Sequence, residues 1–126
     1  METRPELDGL IQVAIAVKDV DRAVDFYRDK LGMSFLFKPA PTMAFLQCGT
    51  TRIYLDASVE ASSHPFLYFR AIDIDRAHAN LKERDVEIHQ PPHVIARLPD
   101  REVWLMWVRD SESNLIALMQ EKPVPA

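Results

Sequence analysis

The sequence contains a single cysteine, Cys48, so no disulfide can form within the chain. Lys and Arg never gather into a run, and the formal net charge at pH 7 is −4, so the basic footprint of a nucleic-acid binder is missing. No apolar stretch reaches membrane-spanning length. Residues 1–6 lack the basic and then apolar order of a secretion signal. These absences argue against nucleic acid or a membrane as partner, and they make a reducing cytoplasm the expected location.

What the chain has is apolar material: 126 residues, 48% hydrophobic and 27% charged, enough for one substantial core. It also repeats itself. Residues 12–23 (QVAIAVKDVDRA) and 66–77 (FLYFRAIDIDRA) match so that Asp19, Asp21, Arg22 and Ala23 recur as Asp73, Asp75, Arg76 and Ala77, a constant offset of 54 (from 19 to 73). Each copy is an apolar strand running into an Asp-capped helix. Two such modules in one short chain must share a core, and a ligand is expected in the space between them.

Periodicity fills in the elements. Residues 11–17 form a strand-length apolar run, Asp19 supplies an N-cap, and Val20, Ala23, Val24, Tyr27 and Leu31 recur at helical spacing before Gly32. Strands are expected at 34–38, 43–48 and 52–56, with a rigid loop at Pro39-Ala40-Pro41 and a turn at 49–51. The polar stretch 57–65 connects the modules. In the second copy a strand at 66–72 leads to a helix capped by Asp73 with Ile74, Ala77, His78 and Leu81 on one face. Strands follow near 86–89, 103–108 and 114–120, with a loop through Pro91-Pro92. The order βαβββ, twice, gives an α+β fold: a curled mixed sheet around a central trough, with helices on the outer face. It reads as one domain over 1–126, with module one about 8–56, the connector 57–65 and module two 66–121.

The stretch 19–32 (DVDRAVDFYRDKLG), its echo at Asp73 and the ending 109–118 (RDSESNLIAL) resemble the vicinal oxygen chelate superfamily. That group includes glyoxalase I, ring-cleaving dioxygenases, fosfomycin resistance enzymes and bleomycin resistance proteins. The resemblance implies four metal-ligand positions, two per module, in the members that use a metal. They fall on Gln12, its echo Phe66, Ala117 where the family pattern has Glu, and near Leu55. Only the Gln12 amide offers a donor, and divalent cations need several. The expectation is therefore no cofactor, a divalent metal surviving only at a relocated site. Ser113 and Asp85 stand where the family pattern favours glycine and positive φ, which Ser and Asp adopt with some strain. The resemblance also implies a homodimer, a state common in the superfamily.

Alternation along the strands sends Gln12, Ala14 and Ala16 to one face, with Phe66, Tyr68 and Arg70, Ile53 and Leu55, and Leu115, Ala117 and Met119 joining them as the trough lining. Such a wall suits a planar or amphipathic organic ligand. In the segment 93–107, His93 offers a proton-transfer group, Arg97 an anion clamp and Glu102 a partner carboxylate, while Trp104 or Trp107 offers a ring to stack on. The same segment also reads as a polar loop leading into a core strand. His78 takes the helical position of Val24 and reads as packed, and His89 lies at a strand end. His64, His93 and Glu102 could make a substitute metal site in space, although their spacing in sequence carries no metal pattern. Cys48 reads as a small buried hydrophobe in its apolar strand, a nucleophile being the sharper alternative. The expected ligand-binding set is Gln12, Leu55, Phe66, Tyr68, His93, Arg97, Glu102, Trp104 and Ala117, with His93 and Glu102 as catalytic candidates. Two functions fit it: a metal-free binding protein similar to bleomycin resistance proteins, or a lyase, isomerase or dioxygenase working through His93 and Glu102.

Overall fold

The first apolar run forms β1 (Leu7–Ala16), and the Asp19 carboxylate then starts α1 (Val20–Asp25) by accepting the Arg22 N–H at 3.0 Å. The computed structural model describes residues 4–58, 65–111 and 113–125. After α1 the chain widens into a π-helical turn at Phe26–Lys30, so the helical periodicity expected to reach Leu31 breaks. A π turn takes more than 3.6 residues, which rotates the next position off the buried face. Leu31 is accordingly 53% exposed and Met33 packs on the core instead, while Tyr27 packs there as expected. Gly32, with φ +76, ends the segment.

β2 (Ser34–Ala40), β3 (Met43–Cys48) and β4 (Thr51–Asp56) follow. In the second half come β5 (Phe66–Ala71), α2 (Ile74–Glu83), β6 (Ile88–Arg97), β7 (Arg101–Arg109) and β8 (Leu115–Pro123). Two segments expected as proline loops are strand: Pro39 lies within β2, and Pro91 and Pro92 within β6. Both strands are the outermost of their sets, where a missing N–H breaks no ladder, and the β6 register slips between Gln90 and His93 to accommodate the pair. Cys48, expected buried, is exposed at the end of β3 beside the Gly49 turn.

The chain divides into two compact units: a first unit, Leu10–Leu67, and a second made of the residues through Gly9 with Tyr68–Ala126. Their plans are the same. In the first, the order is β2-β3-β4-β1, with β1 parallel to β4 and the other pairs antiparallel; in the second it is β6-β7-β8-β5, with β5 parallel to β8. The helix of each unit covers one sheet face. Val20 and Val24 of α1 pack on Ala44, Leu46, Ile53 and Leu55 of the sheet; Ile74 and Ala77 of α2 pack on Ala71, Met106, Val108 and Leu118. Each of the fully buried Leu side chains contributes about 1.5–3 kcal/mol by leaving water.

Side chains from distant strands fix the second unit. The Asp73 carboxylate accepts the N–H groups of Asp75 and Arg76, both at 3.1 Å, and the Gln120 carbonyl takes the Ile74 N–H at 2.8 Å, so three donors at the α2 start are satisfied. The N-terminal residues join this unit because the Ile72 N–H donates to the Glu6 carbonyl and Asp8 pairs with Arg70. Asp85 and Ser113 adopt φ +60 and +65, as the glycine-favouring turns require. Among the described residues no helix is long and apolar enough to cross a membrane.

Candidate functional site

In each unit one sheet face carries the helix and the other does not, and residues on the helix-free face follow from the register. In the first unit they form three rows across the strands. Gln12, Arg52, Gln47 and Ser34 make a polar row; Ala14, Tyr54, Phe45 and Phe37 an aromatic row; and Ala16, Asp56, Met43 and Ala40 a third. The aromatic row is a continuous stack. Phe37 lies 5.0 Å from Phe45, and Phe45 4.8 Å from Tyr54, with interplanar angles of 27° and 16°. Such pairs contribute about 0.5–1.5 kcal/mol each beyond their burial.

The polar row is anchored by one contact. Gln12 is only 6% exposed, and its side-chain carbonyl accepts the Arg52 Nε–H at 2.9 Å. A buried amide oxygen needs such a partner, and a guanidinium supplies a strong one. Gln47 turns its amide to the Gly49 carbonyl at 2.8 Å, and the Asp56 carboxylate accepts the Ser58 N–H at 2.9 Å.

The helix-free face of the second unit has a different character. Tyr68, Ala117, Trp107 and Gln90 form one row, and Arg70, Met119, Leu105 and His93 the next. Tyr68 is buried, with its ring edge-on to Trp107 at 5.5 Å. Arg70 grips Asp8 with two bonds, at 2.7 and 3.2 Å. That hydrogen bond holds the Asp8 carboxyl below its ordinary value and raises the Arg70 guanidinium, although burial works against both. His93 Nδ1 lies 2.8 Å from the Pro91 carbonyl, a contact that requires the proton on Nδ1.

Within each unit the expected ligand-binding residues are divided between the two sheet faces. Leu55 and Ile53 belong to the core under α1, on the face opposite Gln12. The residue on the Gln12 face is Tyr54: it pairs with Ala14 as Ala117 pairs with Tyr68, which stands 54 positions (from 14 to 68) after Ala14 in the repeat. Trp104 packs on the core under α2, and its indole N–H donates to Glu102 at 3.1 Å. Arg97 pairs with the other Glu102 oxygen at 3.2 Å, and Lys122, ion-paired with Asp75 at 2.7 Å, lies 4.2 Å from the Trp104 ring centre. Arg97, Glu102 and Trp104 therefore tie β6, β7, β8 and α2 together. His93, opposite Leu105, is on the other face of the β6–β7 pair. The residues missed are Arg52, Tyr54 and Phe45.

A divalent metal fits poorly at the positions the resemblance marks. Gln12 offers one amide oxygen, already accepting from a guanidinium; Tyr54 offers a neutral phenol; Phe66 and Ala117 offer carbon. The Arg52 cation beside Gln12 adds electrostatic repulsion. Among the described residues no three His, Cys, Asp or Glu side chains gather in metal-binding fashion, and His64 of the substitute trio lies outside the described residues. A separate cleft of about 490 Å³ opens near the end of α2, lined by Leu81, Val86, Val108 and Ile116 on the helix-packed side.

Comparison with known proteins agrees with this architecture. The sequence model of the Glyoxalase/Bleomycin resistance protein/Dioxygenase superfamily matches residues 9–118. The chain is 28% identical to the uncharacterized protein YraH of Bacillus subtilis (strain 168) over 128 residues, covering 86% of this chain and 95% of that protein. Its fold is similar to methylmalonyl-CoA epimerase from Mycobacterium tuberculosis (TM-score 0.71, 22% identity, 99% of this chain and 94% of that one). It is also similar to the E323L mutant of homoprotocatechuate 2,3-dioxygenase from Brevibacterium fuscum (TM-score 0.72, 16% identity, 97% of this chain and 35% of that one).

Proposed function

Since the chain belongs to the Glyoxalase/Bleomycin resistance protein/Dioxygenase superfamily, whose fold carries an epimerase in one neighbour and a dioxygenase in another, its function must be read from its own residues, and we propose that it is a metal-independent small-molecule binding protein. It holds an aromatic or amphipathic compound against helix-free sheet surface. The observation that carries this reading is the Gln12–Arg52 hydrogen bond: the residue standing at the first metal-ligand position implied by the resemblance is a buried amide already engaged by a cation. The stacked row Phe37–Phe45–Tyr54 beside it supports an aromatic ligand. A homodimer, implied by the resemblance, in the cytoplasm, expected from the sequence, is the setting of this reading.

Acid–base chemistry by His93 and Glu102 finds no support in their surroundings. Glu102 is engaged by Trp104 and Arg97, and His93 emerges on the other face. The test is thermal melting of purified, metal-depleted protein with Mn, Fe, Ni or Zn. A cation at 100 times its Kd would stabilise the fold by about 2.7 kcal/mol. No shift is expected; a rise of several degrees with any of the four overturns the reading.

A further inference from the structure

We infer that the cleft at the C-terminal end of α2 is a second binding site, taking a small amine that carries an apolar body. It lies wholly within the second unit and goes beyond the function proposed above, which uses helix-free sheet surface. Its volume of about 490 Å³ is that of a small-molecule site, and its lining is mainly apolar, from Leu7, Leu81, Val86, Val108, Ile116 and Leu118. Val108 and Leu118 belong to the buried core, whereas Leu81, Val86 and Ile116 are only partly buried and Leu7 is 40% exposed. The core is therefore open to water at this end.

The repeat shows why. In the first unit the Met33 N–H donates to the Tyr27 carbonyl at 3.0 Å, and in the second the Val86 N–H donates to the Leu81 carbonyl at the same distance. Tyr27 and Met33 pack on the first core, and at their counterparts the second unit carries the smaller Leu81 and Val86. Smaller side chains at the same two places leave room beside the second core. The walls around that room are tied down. Arg109 donates to the Ser113 carbonyl at 2.9 Å and pairs with Glu87 at 3.4 Å, and the Asp110 carboxylate accepts the backbone and side-chain N–H groups of Asn114 at 2.9 and 3.0 Å. A cleft fixed in this way has little left to order when it is filled.

Charge decides the occupant. The polar part of the lining sets three carboxylates, those of Asp85, Glu87 and Asp110, against the one guanidinium of Arg109. Arg109, Glu87 and Asp110 are engaged with their neighbours, while Asp85 is exposed and has no hydrogen-bond or ion-pair partner among the described residues. An ammonium is drawn to Asp85, and a ligand carboxylate is repelled. Apolar wall and anionic rim together fit an aryl or alkyl amine.

The experiment follows the amide resonances of the isotope-labelled full-length protein during titration with three probes of one shape: 2-naphthylmethylamine, 2-naphthalenemethanol and 2-naphthoate. The amine should shift Leu81, Val86 and Ile116 and bind there about fivefold more tightly than the alcohol, with the acid weaker than either. Asp85→Asn should bring amine and alcohol to about the same affinity while leaving the alcohol's own affinity unchanged. Asn tolerates the φ of +60 that Asp85 adopts, so the turn is kept. If Asp85→Asn does not fold, loss of the wild-type amine preference with added salt serves in its place, because an ion pair is screened and apolar contact is not. Cleft resonances that respond to no probe or equally to all three, or an amine preference that Asp85→Asn or salt leaves intact, overturn the inference. Shifts at Phe45 and Tyr54 on the helix-free face report separately on the function proposed above, so either reading can fail alone.

Discussion

The two units are built on one plan and finished differently. In the row that crosses the middle of each helix-free face, the first unit sets Ala14 beside Tyr54, while the second sets Tyr68 beside Ala117, so the large ring has moved from the inner strand to its partner. Two residues earlier in each copy of the repeat, Gln12 binds Arg52, whereas its echo is the carbon ring of Phe66. The helix-packed faces differ far less: both are filled by Val, Ile, Leu, Ala and Met. Divergence thus falls on the face that touches no helix. That is where ligand specificity can change while the fold persists.

The sharpest way to break this division is Leu55→Ala. If Leu55 is core, the variant should lose about 2–5 kcal/mol of stability in denaturant titration. If it lined a ligand surface, stability would barely move and binding of 2-naphthoate would weaken. A smaller effect is expected in the second unit. Trp104→Phe removes the N–H bond to Glu102 and weakens the Lys122 contact, so a loss of about 1–2 kcal/mol should appear with ligand affinity unchanged. A ligand-contacting Trp104 would give the reverse result.

The smallest effect contrasts two exposed ion pairs. Asp8 and Arg70 are 62 positions apart and join the chain's start to β5; Asp29 and Arg28 are neighbours in the π turn of the first unit. Both carboxyls are held below the ordinary value of 3.8, each mainly by its arginine's hydrogen bond. A depressed carboxyl stabilises the fold above its unfolded value and loses that contribution as the pH falls through the folded one. Melting of wild type and Arg70→Gln should therefore differ above pH 4 and converge as acid protonates Asp8. Arg28→Gln should show less difference throughout, since a bond between adjacent residues closes no long loop. Equal behaviour of the two variants would remove the distinction.

Much of this was legible before any coordinates. The 54-residue repeat announced two equivalent modules, and Asp19 and Asp73 marked both helix starts. Ser113 and Asp85 were readable as positive-φ turns from the pattern they interrupt. The site was less legible, for a physical reason. The alternation Arg52-Ile53-Tyr54-Leu55-Asp56 already separates apolar from polar residues, and it assigns Ile53 and Leu55 to the core. Leu55 and Tyr54 differ by a single step along β4, and a shift of one sends every side chain to the opposite face. The same parity separates Trp104 from Trp107 on β7. Contacts such as Gln12 with Arg52 bridge 40 positions and depend on which strands lie side by side, which local pattern does not report.

The central claim is that an organic ligand is held here by side chains without a metal. Calorimetric titration of 2-naphthoate into the protein in excess EDTA tests it most directly. The affinity should equal that measured with Zn or Mn added; binding lost in EDTA and restored by either metal would contradict the account.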